Sequence, residues 1–348
     1  MDTHAVLERW DEVKLIDLRS DTVTLPCDAM RQVMFDAPLG DDVYGEDPSV
    51  NTLQTLAAEI TGKESALFVS SGTQSNLLAV LSQCERGDEY IAGQEAHTYR
   101  FEAGGAAVLG GIQPQPLPFN GRGELDLEQV AETIKPDDFH FARTKLLCLE
   151  NTQTGKVLAM DYLADFFQLA VKYGLRKHLD GARAFNAAVK MSIDIKEICS
   201  YFDTVSICLS KGLAAPVGSV LVGDRITIEK ARRLRKMLGG GMRQAGILAA
   251  AGIYALKNNI ERLQVDHENA ANLADGLRGL AGFRLLEEPE TNMVLLDLSR
   301  EYFSALSAWL ADNNVTVSGQ RWVLHKDVSR DDVERVLELC SEFSNAPA

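Results

Sequence analysis

Val205-Ser206-Ile207-Cys208-Leu209-Ser210-Lys211-Gly212 is a short apolar run that ends in a Ser-Lys pair and a glycine. Such a run reads as a buried strand, which places Lys211 at the rim of a sheet, partly desolvated. Desolvation lowers a lysine's pKa and frees its neutral amine for Schiff-base chemistry. A lysine opening a surface loop is the plainer reading, so the partners elsewhere in the chain decide. In Ser70-Ser71-Gly72-Thr73-Gln74-Ser75-Asn76, a turn into a helix would present the N–H groups of Gly72 and Thr73 to an anion such as phosphate. In His178-Leu179-Asp180-Gly181-Ala182-Arg183, Asp180 closes another strand, about one strand–helix–strand unit before Lys211. His97 follows a third strand, where it can stack on a planar ring, act as a base or cap a helix. Arg183 and Arg321 could grip a carboxylate from two lobes.

These residues need a scaffold that brings strand ends together. From Ala66 onward the chain alternates: strands at 66–69, 89–92, 115–119, 145–150, 175–179, 204–209 and 217–222, with helices at 73–82, 101–109, 161–173, 182–189, 226–238 and 242–256. This alternation predicts an α/β layer around a mostly parallel sheet. Before it come a helix or arm over 1–14, an extended arm over 16–24, a helix behind an Asp28 N-cap, a turn-rich loop over 40–48 and a helix capped by Ser49. After about Lys257 the pattern changes. Helices at 259–280, 302–313 and 330–343 and short strands at 283–286, 293–298, 315–317 and 322–324 read as a small α+β lobe, with a frayed tail after Phe343. The expected division is therefore an arm and large domain over 1–256 and a small domain over 257–348.

The bulk numbers narrow the function. The 348 residues carry a formal net charge of −15, which disfavours nucleic acid and anionic membranes as partners. An anionic ligand then needs its own arginines. Six scattered cysteines without a C-x-x-C pair read as reduced, buried thiols of a cytoplasmic protein. The longest apolar stretch, 245–256, is too short to span a bilayer. The acidic loop at Asp41, Asp42, Glu46 and Asp47 is read as a solvated turn, and no metal is expected. A nicotinamide reading lacks its G-x-G-x-x-G after the first strand.

A phosphate cup, a ring-facing His, an Asp, a Schiff-base Lys and carboxylate-binding arginines together make the parts list for pyridoxal 5'-phosphate (PLP) acting on an amino acid. At this point the chain resembles a known family. DLRSDTVT (17–24), GDDVYGEDP (40–48), SSGTQSN (70–76), GQEAHTYRFEAGGAAVLG (93–110), LEN (149–151), HLDGARAFNA (178–187), ICLSKGL (207–213) and RKMLGGGMRQAG (235–246) are similar to segments of the fold-type I PLP enzymes, and within them of the low-specificity L-threonine aldolases. The resemblance implies a fold-type I large domain with a small C-terminal α+β domain. It implies retro-aldol cleavage of L-threonine and L-allo-threonine to glycine and acetaldehyde, by a carbon–carbon lyase with PLP as a Schiff base on Lys211. It further implies that Asp180 meets the pyridine nitrogen, that His97 stacks on the ring, and that Gly72 and Thr73 contact the phosphate. Ser20, Arg183 and Arg321 would bind the substrate carboxylate, Arg183 also bordering the cofactor. His97 is the first candidate for the base and His140 the second, and Tyr44 would border the site. Lys236 and Arg243 match residues that reach a phosphate across a subunit interface, which implies a homotetramer built as a dimer of dimers. The competing readings are another fold-type I lyase or transaminase, or a PLP-fold binding subunit without catalysis.

Overall fold

The computed structural model describes residues 14–345. Its strands are β1 (Ile16–Asp17), β2 (Ser65–Val69), β3 (Asp88–Gly93), β4 (Gln113–Leu117), β5 (Arg143–Glu150), β6 (Arg176–Asp180), β7 (Thr204–Cys208), β8 (Ser219–Gly223), β9 (Met293–Leu295), β10 (Val315–Thr316) and β11 (Arg321–Val323). Seven of them form the central sheet in the order β2-β8-β7-β6-β5-β3-β4. β7, β6, β5, β3 and β4 run parallel, and β8 lies antiparallel to both β2 and β7. The middle strands are covered on both faces, so they are continuous rather than alternating in hydrophobicity. β7 is buried at all five positions.

This order sets up the site. The parallel strands β7, β6, β5 and β3 are consecutive neighbours, and their C-terminal ends share one edge. Chain leaving that edge carries Lys211 after β7, Asp180 at the end of β6, Glu150 at the end of β5 and His97 after β3. In open α/β sheets that edge is where ligands bind.

The helix Gly72–Gln83 starts where β2 ends. Ser71 caps it by accepting the amide of Gln74 at 3.1 Å. The helix Pro48–Thr61 is capped by Asp47 with Pro48 in its first turn, rather than by Ser49, because proline's missing N–H costs nothing there. The expected helix over 101–109 is reduced to Gly105–Gly110, with a separate short helix, His97–Arg100, before it. Ala103 (φ 53°) and Gly104 (φ 67°) both take the left-handed conformation between them, which a continuous helix cannot accommodate. The stretch 283–286 contributes one bridge, Leu285 to Leu296, instead of a strand. Short helices at Leu127–Thr133 and Ile195–Cys199 are additional to the sequence reading. The last helix continues to Asn345, where Ser344 donates to the carbonyl of Ala281 at 2.9 Å. The expectation for the first fourteen residues falls almost wholly outside the described residues.

Among the described residues the buried apolar side chains form four clusters, of which two are large. The larger lies around the central sheet. The second gathers the helices Leu263–Arg278, Arg300–Asp312 and Arg330–Asn345 against β9 and β11, with Trp322 fully buried. Ile16 and Leu18 belong to this second core, because β1 pairs in parallel with β10. The arm therefore runs from the small lobe toward the site. All six cysteines are free thiols, and no helix of the described residues is long and apolar enough to cross a membrane.

Candidate active site

A cavity of about 370 Å³ opens at the shared strand edge, lined by Ser20, His97, Glu150, Asp180, Arg183, Lys211 and Arg321 among others. Residues from six regions of sequence thus converge. A larger hollow, about 560 Å³, lies elsewhere and is walled by Arg232, Arg233, Arg235 and Lys236. That hollow has an amine and carboxylates but no imidazole, so the smaller cavity is the candidate site.

Lys211 follows the buried β7, and its carbonyl accepts from Thr24 Oγ1 at 3.0 Å. Among the described residues no carboxylate lies in ion-pairing range of its Nζ, so the amine is available. Asp180 is buried and already held: Oδ1 accepts the amide of Ala182 at 3.0 Å and Oδ2 accepts Asn76 Nδ2 at 2.8 Å. Asn76 sits one turn into the helix that Gly72 begins. The amides of Gly72 and Thr73 have no acceptor among the described residues, so the anion-binding end of that helix stands one turn from Asp180.

His97 Nδ1 lies 2.8 Å from Glu102 Oε1, and its backbone N–H donates to Glu150 Oε2 at 2.9 Å. The hydrogen bond His97 gives to Glu102 raises the His97 pKa above the ordinary histidine value, against the opposing effect of burial. Glu102 is itself raised by burial, with His97 and Asn76 pulling the other way. Glu150 is pushed up to about 7, first by burial and then by the Asp180 carboxylate. A carboxyl poised near neutrality within a cavity is a mark of a functional site.

Arg183 and Arg321 differ. Arg183 grips buried Asp21 bidentately, Nε to Oδ2 at 2.8 Å and Nη2 to Oδ1 at 2.6 Å. Burial alone would raise Asp21, yet the Arg183 guanidinium holds it at about 2. That leaves only the Nη1 side of Arg183 for a ligand. Arg321 lines the cavity from β11 and has no ionic partner among the described residues. Burial and the nearby Arg183 lower its pKa, so an incoming carboxylate would meet an uncompensated cation. Ser20 faces the same cavity, its Oγ accepting from Thr22.

The remaining expected residues lie outside this cavity in the single chain. His140 is exposed in the loop before β5, with Nδ1 2.6 Å from Asp138 Oδ1. Tyr44 is 75% exposed. Its loop is tied to the helix Arg225–Met237 by a buried pair between Asp42 and Arg235 at 2.6 Å, and Arg243 binds Asp41 at 2.9 Å. Lys236, Arg243 and Tyr44 therefore share one outer face. The acidic loop is not a solvated turn throughout. Asp47 accepts the amides of Ser49, Val50 and Gly246, and Asp42 is buried against Arg235.

Comparison with known proteins fits this geometry. Residues 17–301 match the family described as beta-eliminating lyase. The chain belongs to that family. It is 56% identical over 325 residues to the low specificity L-threonine aldolase of Escherichia coli K12, covering 92% of this chain and 97% of that protein. Its fold is similar to that of Leishmania major threonine aldolase (TM-score 0.80, 20% identity, 94% of this chain and 99% of that one). It is also similar to a structure of SPT with PLP (TM-score 0.75, 17% identity, 94% and 87%). The architecture is thus the fold-type I one, with its mostly parallel sheet.

Four residues at or behind the cavity had no role in the sequence reading: Asn76, Glu102, Glu150 and His178. Two had a usable signal. Asn76 stands one helical turn after Gly72. His178 stands two residues before Asp180, hence on the same face of the strand.

Proposed function

We propose that this protein is a PLP-dependent low-specificity L-threonine aldolase, cleaving L-threonine and L-allo-threonine reversibly to glycine and acetaldehyde. The observation that carries the reading is the unpaired Lys211 amine in one cavity with Asp180, His97 and an unpaired arginine, in a chain so similar to named threonine aldolases.

The donor set suits the cofactor. Lys211 would hold its aldehyde as a Schiff base, Asp180 its pyridine nitrogen, His97 its ring face, and the amides of Gly72 and Thr73 its phosphate. The Asn76 and Ala182 donors leave Asp180 a lone pair with which to meet a protonated ring nitrogen. When bound, PLP supplies an electron sink for the carbon whose bond breaks. Arg321, helped by Ser20 and the free side of Arg183, takes the substrate carboxylate and so fixes the orientation of the Cα–Cβ bond. His97 takes the β-hydroxyl proton at Nε2, since Nδ1 is occupied by Glu102. That step needs neutral His97, so activity should climb with pH through its raised midpoint. His140, as the second candidate base, and Tyr44 would act only through movement or a neighbouring subunit. We also propose a cytoplasmic homotetramer, with Lys236 and Arg243 reaching a partner's phosphate site, and a division into domains at 256/257.

The test is direct. Purified protein supplied with PLP should release acetaldehyde from both L-threonine and L-allo-threonine, and borohydride should fix the cofactor on Lys211. Lys211→Ala should lose the fixed adduct and at least ~10³-fold in rate. Pyruvate or a racemised amino acid in place of acetaldehyde would overturn the aldolase reading.

A further inference from the structure

Behind the cavity wall runs a chain of hydrogen bonds whose direction is fixed from one end to the other. It begins at Arg176, an obligate donor. Arg176 Nε donates to Gln83 Oε1 at 3.1 Å, so the Gln83 amide must point its Nε2 onward, and it does, to Thr204 Oγ1 at 2.8 Å. The Thr204 hydroxyl, having accepted, can give its proton to His178 Nδ1 at 2.9 Å. His178 is fully buried, and burial pushes its pKa down to about 4. It is therefore neutral, with Nε2 3.1 Å from Asn76 Oδ1. The two N–H groups of Asn76 go to Glu102 Oε1 and Asp180 Oδ2, both at 2.8 Å, so its Oδ1 is the atom that faces His178, which must carry its proton on Nε2 and accept at Nδ1. Glu102 Oε1 in turn lies 2.8 Å from His97 Nδ1.

The geometry follows from two periodicities. Arg176, His178 and Asp180 alternate along one face of β6. Asn76 and Gln83 are seven apart on the helix Gly72–Gln83, hence on one stripe facing that strand. A polar network that is buried over its middle, from Thr204 through His178 and Asn76 to Glu102 and Asp180, holds one arrangement, because any reversal leaves two acceptors or two donors face to face. Reversing Asn76, for example, would set its carbonyl against two carboxylates.

We infer that Asn76 is a positioning residue that joins the His97 and Asp180 ends of the site, and that the oriented chain behind it sets the His97 tautomer, proton on Nδ1 and lone pair on Nε2. Asn76 is not among the residues that line the cavity. It acts by holding Glu102 and Asp180 as fixed acceptors at the end of the chain. His97 also faces Asp180 and Lys211 and lies near Glu150 and Glu95. Among the described residues only Glu102 meets its Nδ1. The inference rests on the roles proposed above for His97 and Asp180.

Nitrogen NMR of the full-length chain labelled at histidine tests this, with His97→Phe and His178→Phe used to assign the signals. Spectra would be recorded across pH, first without cofactor and then with PLP. The expected result is a neutral His178 with its proton on Nε2 throughout, and a neutral His97 with its proton on Nδ1. Glu102→Gln keeps the shape and the acceptor but removes the charge, so it should lower the His97 midpoint toward the ordinary histidine range. Asn76→Leu should give His97 a mixture of tautomers in its neutral form. A purely structural Asn76 would cost thermal stability and leave the tautomer of His97 unmoved; that result in a folded Asn76→Leu, or a His178 proton on Nδ1, overturns the inference. If Asn76→Leu does not fold, an unchanged midpoint in Glu102→Gln overturns it instead. Failure of the wild-type chain to take up PLP would sink the proposed function but not this coupling, which is read without cofactor.

Discussion

Glu150 is the residue whose titration bears most directly on the site. With its folded pKa near 7 and an ordinary value of 4.5, the folded chain binds the Glu150 proton more tightly than the unfolded chain does. Its contribution is fully present below about pH 4.5 and is lost as pH rises toward 7. Glu150→Gln keeps an oxygen to accept the His97 amide but cannot ionise. The melting temperature of the variant relative to wild type should therefore climb between pH 5 and 8, by roughly 2–4 °C for each 1 kcal/mol. Calorimetry across that range decides it, and a constant difference would remove Glu150 from the account. Glu150 also shows what was legible. Lys211, Asp180 and Gly72 could be read from the chain because a strand end and a helix start are local signals. Glu150 and Glu102 could not, and the spacing of Asn76 from Gly72 does not say what its amide bonds. Their roles come from partners 53, 26 and 104 positions away, and only the folded sheet brings those together.

At the level of elements, the arm matters more than its sequence suggests. Residues 16–24 read as an extended polar arm, yet Leu18 and Asp21 are fully buried. β1 joins β10, and the turn Asp21–Val23 delivers Asp21 to Arg183 beneath the cavity. This ion pair holds the small lobe's arm against the loop that follows β6. Removing one partner strands a buried guanidinium, which costs about 3–5 kcal/mol. Asp21→Asn should lower stability toward denaturant by that order at pH 7. Because the folded pKa of Asp21 is depressed to about 2 from 3.8, the gap should persist above pH 4 and narrow as pH falls toward 2. Equal unfolding midpoints at pH 7 would mean that Arg183 finds another partner. The strand–helix alternation was legible over nearly the whole sheet, since buried parallel strands are unbroken apolar runs. The split helix after His97 was not, because left-handed backbone at Ala103 carries no signature in residue type.

For the whole molecule, the question is why Tyr44, Lys236 and Arg243 lie on an outer face, away from the cavity in which Lys211 lies. Arg232, Arg233 and Lys236 concentrate positive charge there on a chain whose net charge is −15, an arrangement suited to meeting an anion held by another copy. If each site takes Arg243 from its neighbour, two differently damaged chains can repair each other. A Lys211→Ala chain has a dead site of its own but a sound Arg243 to lend. An Arg243→Ala chain has a sound Lys211 but nothing to lend. Each should be nearly inactive alone. Unfolded together and refolded, random pairing into two-fold dimers makes about half of them mixed, each with one complete site. Acetaldehyde release from L-threonine should then recover to about one quarter of the wild-type rate per chain. A mixture that forms, as mass measurement of the mixed oligomers would establish, yet stays as inactive as its components would place Arg243 outside the neighbour's site and leave each chain to complete its own.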